Sequence, residues 1–122
     1  MIRIIKANPN TWKRKCWIAK KIGYDVENNI NIYDKPVLYE FNIQPISTEA
    51  DLVEFGERAS SIMKAIIPIS YEGVFKEFDV AYIGNANPME EKVNGAKANY
   101  VLKPPRNQNS VIQIYFEKIT GK

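Results

Sequence analysis

Residues 37–44 constrain the fold more than any other stretch of this chain. Val37, Tyr39, Phe41 and Ile43 alternate with Leu38, Glu40, Asn42 and Gln44, the two-residue period of a strand with one face in an apolar core. Pro45 ends the run, because it has no N–H to give to a ladder. Ser47, Thr48, Glu49 and Asp51 then supply a capping hydroxyl and first-turn acids. With Ala50, Leu52, Val53 and Phe55 as apolar members and Gly56 as a stop, they predict a short helix over about residues 48–56. Strand composition returns at Ile62, Met63, Ala65, Ile66, Ile67 and Ile69. Residues 36–70 thus read as strand, helix, strand, the unit around which a β-rich domain is organised.

The flanks repeat the pattern of short strands and turn clusters. Residues 2–6 read as a short strand or an ordered arm, which extends to about residue 10 through the turn cluster Asn8, Pro9, Asn10. Between Thr11 and Lys21, Trp12, Cys16 and Ile18 share one parity, Trp17 and Ala19 the other. Residues 23–35 are asparagine-rich and predict a long loop or a weak hairpin. Residues 75–83 predict a strand with Phe78, Val80 and Tyr82 on one face and Asp79 and Ala81 on the other. Residues 89–97 predict a second exposed loop or hairpin tip around Asn94 and Gly95. Residues 98–102 predict a short strand ended by Pro104 and Pro105. A polar connection follows at Arg106, Asn107, Gln108 and Asn109. In the final strand, 111–119, Ile112, Ile114 and Phe116 alternate with Gln113, Tyr115 and Glu117. The expected fold is mainly β: a small antiparallel barrel or sandwich with one short helix and long loops, a single domain over residues 1–122.

Composition removes whole classes of chemistry. The chain has no histidine and one cysteine, so histidine-dependent triads, imidazole acid–base catalysis, thiolate metal clusters and an internal disulfide are all unavailable. No phosphate loop, dinucleotide fingerprint or nucleophile elbow occurs. Cys16 lies beside Lys15, which favours a thiolate. Without a histidine partner it reads instead as a buried structural thiol. The expectation is a protein that is not an enzyme and uses no metal or cofactor. No run of about 20 apolar residues is present to span a membrane, and no secretory signal is read at the start.

The 17 basic and 14 acidic side chains nearly balance, and their placement matters more than their sum. Lys13, Arg14, Lys15, Lys20 and Lys21 gather near the start, whereas Glu49, Asp51, Glu54 and Glu57 gather in the helix. Such a division suits head-to-tail contact with a copy or a partner. It equally describes two solvated faces. Lys13, Arg14 and Lys15 are candidate phosphate contacts, or a charged edge that deters strand pairing. Trp12 and Trp17 set among lysines fit an interface or a base-stacking surface, or plugs for the ends of a barrel.

In layout the chain resembles the head-closure (stopper) proteins of long-tailed bacteriophages, also called head–tail connector or head completion proteins. The likeness rests on Asn8 and Pro9, and on Tyr39, Phe41, Gln44 and Pro45 at the end of a strand. It continues through the acidic helix from Glu49, Ala50, Asp51 and Leu52 to Gly56. Phe78, Asp79, Val80, Ala81, Tyr82 and Ile83 before a turn, then Tyr100 and Val101, complete it. The resemblance implies a β-barrel subunit of a homo-oligomeric ring in the virion, at the head–tail junction, made in the host cytoplasm. The ring would hold packaged double-stranded DNA through non-specific contacts and gate its ejection. Its partners would be copies of itself, a portal-side adaptor and a tail or tail-terminator protein. Asn28, Asn29 and Asn31 in one loop, and Glu90, Glu91, Lys92 and Asn94 in the other, are the candidates for the lumen or for ring contacts. Lys13, Arg14 and Lys15 would meet a partner or DNA, and Asp51 and Glu54 would face a basic neighbour. Residues 23–35 and 89–97 depart from the compact pattern as extra loops, which leaves a tail-completion or tail-terminator role open. The alternatives are a nucleic-acid-binding barrel using Trp12, Trp17, Tyr39 and the basic cluster, and a carboxylate-based enzyme or small-ligand barrel.

Overall fold

The computed structural model describes residues 13–89 and 91–119. Residues 2–6, Asn8, Pro9, Trp12 and Glu90 therefore lie outside the described residues. The chain forms β1 (Arg14–Ala19), β2 (Lys21–Asp25), β3 (Ile30–Tyr33), β4 (Val37–Phe41) and β5 (Ile43–Pro45). Helix α1 (Glu49–Phe55) follows, then β6 (Ile62–Pro68), β7 (Val80–Ile83), β8 (Tyr100–Leu102), β9 (Arg106–Gln108) and β10 (Val111–Lys118). The main sheet runs β4-β1-β7-β8-β10-β6-β5, with β9 added to β10, and every pairing in it is antiparallel.

This order almost closes on itself. β4 and β5 sit at opposite ends of the sheet path, yet only Asn42 separates them in sequence. One bent stretch of chain therefore pairs with β1 through Val37–Phe41 and with β6 through Ile43–Pro45, bringing the two sheet edges together as a barrel requires. The alternation that dominates the sequence is the seam of the barrel.

The interior is filled by side chains. Cys16, Ile18, Phe41, Ile43, Ala65, Ile67, Ala81, Ile83, Leu102, Ile112, Ile114 and Phe116 form one buried cluster with Phe75. Tyr39, Phe41, Tyr71 and Phe75 pack as edge-on and stacked rings with centroids 5.1–6.3 Å apart. Two outer faces are covered as well. Ala19, Val80, Tyr82 and Ala98 form a second buried cluster, with Trp17, Tyr33 and Ala86 packed against it, and α1 covers Ile62 and Tyr115 with Ile46 and Phe55.

Several expectations are corrected here. The strand expected over residues 75–83 begins only at Val80. Asp79, buried, accepts the backbone N–H groups of Lys76 and Lys21, both at 2.9 Å, a side-chain competition for backbone donors that favours a turn over a ladder. Phe78 takes φ 76° in that turn and points to solvent. The polar connection at residues 106–108 is strand β9, paired through Arg106↔Gln113. Of the two readings offered for the asparagine-rich segment, a long loop or a weak hairpin, the chain forms the hairpin, β2–β3. β1 lies between β4 and β7, but Arg14 and Lys15 pair with β4 alone, because the pairing with β7 begins at Cys16.

Candidate functional site

The hairpin β2–β3 forms a separate two-stranded ribbon beside the main sheet. Lys20 alone separates β1 from β2. The ribbon's base is fixed by Asp34 N–H donating to Lys20 C=O at 2.8 Å. At its tip the Asp25 carboxylate accepts from Asn28 N at 3.2 Å and Asn28 Nδ2 at 2.7 Å, and these bonds hold the Asp25 carboxyl below its ordinary pKa. Asn29 provides the left-handed residue of the turn, φ 57°. Asn31 Nδ2 donates to the Tyr33 hydroxyl at 3.3 Å. Two of the three asparagines thus build the turn, and the third braces the strand behind it.

Ile22, Tyr24, Val26, Ile30 and Ile32 are exposed on this ribbon, Val26 by 80%. A two-stranded ribbon is marginal in water by itself, and exposed apolar groups gathered on one ribbon mark a contact surface. Alternation at residues 22, 24 and 26, resumed at 30 and 32 beyond two asparagines, is the signal that locates it in the sequence.

The second long loop meets the first. Asn94 Nδ2 donates to Tyr33 C=O at 3.4 Å, and Gly95 lies flat on the Tyr33 ring. A Cβ at Gly95 would sit 2.5 Å from that ring, and the residue holds φ +88°, so both space and backbone demand glycine. Glu91 ties the loop together: it accepts from the Tyr82 hydroxyl at 2.6 Å, from Gly95 N at 3.2 Å and from Lys97 N at 3.0 Å. Burial, then the bond to Glu91, pushes the Tyr82 phenol well above its usual pKa, so it remains a donor. Between ribbon and loop, Trp17, Pro36, Pro88 and Met89 line an open depression, with Lys35, Glu91 and Asn94 at its sides. Lys92 is exposed on the same loop.

The acidic helix is arranged differently from the sequence expectation. Thr48 caps it, its Oγ1 accepting from Asp51 N at 3.2 Å. Asp51 points inward and is buried, where the expectation had it facing a neighbour. It accepts from the Tyr115 hydroxyl at 2.6 Å and pairs with Lys64 Nζ at 3.0 Å. Burial pushes the Asp51 carboxyl up, but bonds from Tyr115, Lys64 and Thr48 outweigh it and hold it below its ordinary value. Lys64 is raised: burial opposes its charge, and the bonds to Asp51 and Tyr115 prevail. Burial and then Asp51 raise the Tyr115 phenol. Carboxylate, ammonium and neutral phenol are each locked in place, so the cluster has no proton poised for transfer near neutrality and acts as a latch for α1. Glu54 is engaged by Arg106, whose Nη1 donates to Glu54 Oε1 at 2.9 Å and whose Nη2 pairs with Oε2. The Arg106 guanidinium also lies 4.7 Å from the centre of the Tyr115 ring.

Lys13, Arg14 and Lys15 are exposed at the start of β1, with Glu40 opposite Lys15. Of the loop candidates, Asn94 reaches Tyr33 at the base of the ribbon, whereas Asn28 and Asn29 form its tip; the basic row and the helix acids are separate features. Tyr39 packs in the aromatic cluster inside the barrel, so it is no platform for bases, and Trp17 is half-buried against the outer cluster. Burial pushes the Cys16 thiol up to about 12, in keeping with a structural thiol. Among the described residues, no three metal-ligating side chains cluster, and no helix is long and apolar enough to cross a membrane.

The sequence matches no family model, and no curated protein matches it. The chain is similar in fold to the solution structure of protein SF1141 from Shigella flexneri 2a, a structural-genomics target. The TM-score is 0.56 and the identity 13%, over 95% of this chain and 100% of that one. At this identity the likeness concerns the fold alone.

Proposed function

We propose that the protein is a structural virion component: a subunit of a ring that joins a phage head, at its portal–adaptor end, to the tail, seals the packaged double-stranded DNA and gates its exit. The observation that carries this reading is the pairing of a filled barrel interior with an apolar ribbon turned outward. Small-ligand proteins place their apolar surface in a concave cavity. Here it is displayed on an exposed ribbon, the arrangement of a protein whose work is contact with other proteins. The layout likeness to head-closure proteins supplies the class of partners: copies of itself, the adaptor, and a tail or tail-terminator protein. In this reading the exposed Lys13, Arg14 and Lys15 serve a neighbouring subunit or DNA phosphates. The mechanism is mechanical and electrostatic, with no bond made or broken.

The test is electron microscopy of particles assembled without the protein. The reading expects filled heads that leak DNA and fail to hold tails. Stable, tailed, infectious particles would overturn it.

A further inference from the structure

We propose that the tip of the β2–β3 ribbon of one copy docks on the Lys13–Arg14–Lys15 row of the next copy, head to tail. This assignment rests on the ring reading above for the expectation that copies meet, and on the following geometry for where they meet.

The two surfaces carry opposite charge. The ribbon tip holds Asp25 and Glu27, with no basic residue between Asp25 and Ile30. Asn28 keeps the Asp25 carboxylate oriented. The row at the start of β1 holds three exposed cations and keeps a positive excess even with Glu40 opposite Lys15. The acidic helix has two of its four acids already engaged, Asp51 by Lys64 and Glu54 by Arg106, which leaves Glu49 and Glu57 exposed.

The two surfaces also lie at opposite ends of one extended run of chain. β1 and β2 together take residues 14 to 25 with only Lys20 between them. At about 3.3 Å per residue such a run reaches at most roughly 36 Å. β1 is held in the barrel wall on both edges while β2 leaves it to pair with β3. A contact between two unlike patches is either reciprocated about a two-fold axis, which gives a dimer, or repeated head to tail, which gives a ring or a filament; under the ring reading above it repeats. Charge alone on exposed side chains would give register and a faster encounter with little affinity. Ile30, directly across the ribbon from Asp25, and the exposed Val26 supply apolar area at the same tip, the kind of surface that a protein contact desolvates. The occupant is therefore a second copy of this chain.

The experiment uses two charge-reversed proteins, D25K/E27K and K13E/R14E/K15E, in sedimentation velocity and native mass spectrometry across a concentration series. All five positions lie at the surface or at the exposed tip, and circular dichroism checks that each variant is folded. Each variant alone should lose self-association by about tenfold or more. An equimolar mixture should regain it, because each reversed patch then meets its complement, and one chain carrying both reversals should regain it too. The wild-type association should weaken as salt rises. A wild type that stays monomeric at every concentration, variants that assemble like wild type, or a mixture that fails to recover would each overturn the proposal. So would a triple variant that loses DNA binding while its assembly is unchanged, since the row would then be a phosphate site. The two readings fail separately. Intact association alongside sound particles made without the protein removes the function and leaves the contact. Leaking particles with no charge-dependent association do the reverse.

Discussion

Asp51, Lys64 and Tyr115 fix one another's ionisation, so the stability they contribute depends on pH in a direction that can be worked out. The Asp51 carboxyl is held below its ordinary value of 3.8 in the folded chain. Its contribution is therefore complete above that ordinary value and is lost as pH falls through the lower, folded one. Lys64 is raised above 10.5, so its share persists below that value and is lost as pH rises through the folded one. The latch is strongest between the two. The Asp51 and Lys64 side chains both border an open pocket, so removing one partner leaves the other unpaired but within reach of water, and D51N should cost about 1–2 kcal/mol at neutral pH. Denaturant unfolding at pH 7 and near pH 2 checks this: the gap between wild type and D51N should shrink at the acid end. A gap independent of pH would mean that Asp51 acts by shape alone. Asp25 and Glu54 are also held below their ordinary values, but both proteins carry them and their effect cancels. Charge reversal at Asp51 should cost the fold itself, where the sequence suggested it would touch only assembly.

At the level of elements, the ribbon and the 84–98 loop depend on one glycine. Gly95 meets the Tyr33 ring and holds a positive φ, so G95A combines backbone strain of about 1 kcal/mol with a collision the ring must yield to. It should lower overall stability by about 1–2 kcal/mol, and the Tyr33 resonances in NMR should shift while those of Tyr115 do not. Unchanged Tyr33 signals would show that the two segments do not bear on each other. The same elements show what the sequence could and could not reveal. β4 and β10 were legible because one face of each meets the barrel interior and period two survives. The strand at β7 was legible from Val80 and Tyr82 alternating with Ala81, but its start was not, because Asp79 accepts the backbone donors of Lys76 and Lys21 and holds a turn before Val80. β9 was hidden because all three of its residues are polar and exposed. Thr48 and Gly56 announced the ends of α1. Lys64, Tyr115 and Arg106 lie 13 to 64 residues away in sequence from the acids they hold, and no local pattern could announce them. The basic row was legible as a run; that Asp51 and Glu54 of the helix are already paired was not.

Across the whole molecule, two parts of unequal stability share one chain. The barrel is knit by long registers, Val111↔Pro68 through Glu117↔Ile62 above all, and its seam at Asn42 makes the opening of one edge depend on the other. The ribbon is held to it by few ties: Asp34 to Lys20, Lys21 to Asp79, and Asn94 and Gly95 to Tyr33. Amides with little buried apolar cover open locally at low free-energy cost, whereas those in a closed core exchange only through global unfolding. Hydrogen exchange on the free protomer should therefore find β6 and β10 slowest and the amides of β2 and β3 faster by at least about a hundredfold, with β1 near the slow end despite its direct continuation into β2. Mild denaturant should accelerate the slow set strongly and leave the ribbon almost unaffected, because local opening exposes little surface. Ribbon amides as protected as those of β10, with the same denaturant response, would mean that barrel and ribbon unfold as one unit. The exposed apolar residues would then sit on a rigid arm instead of a strand pair that firms up when something covers it.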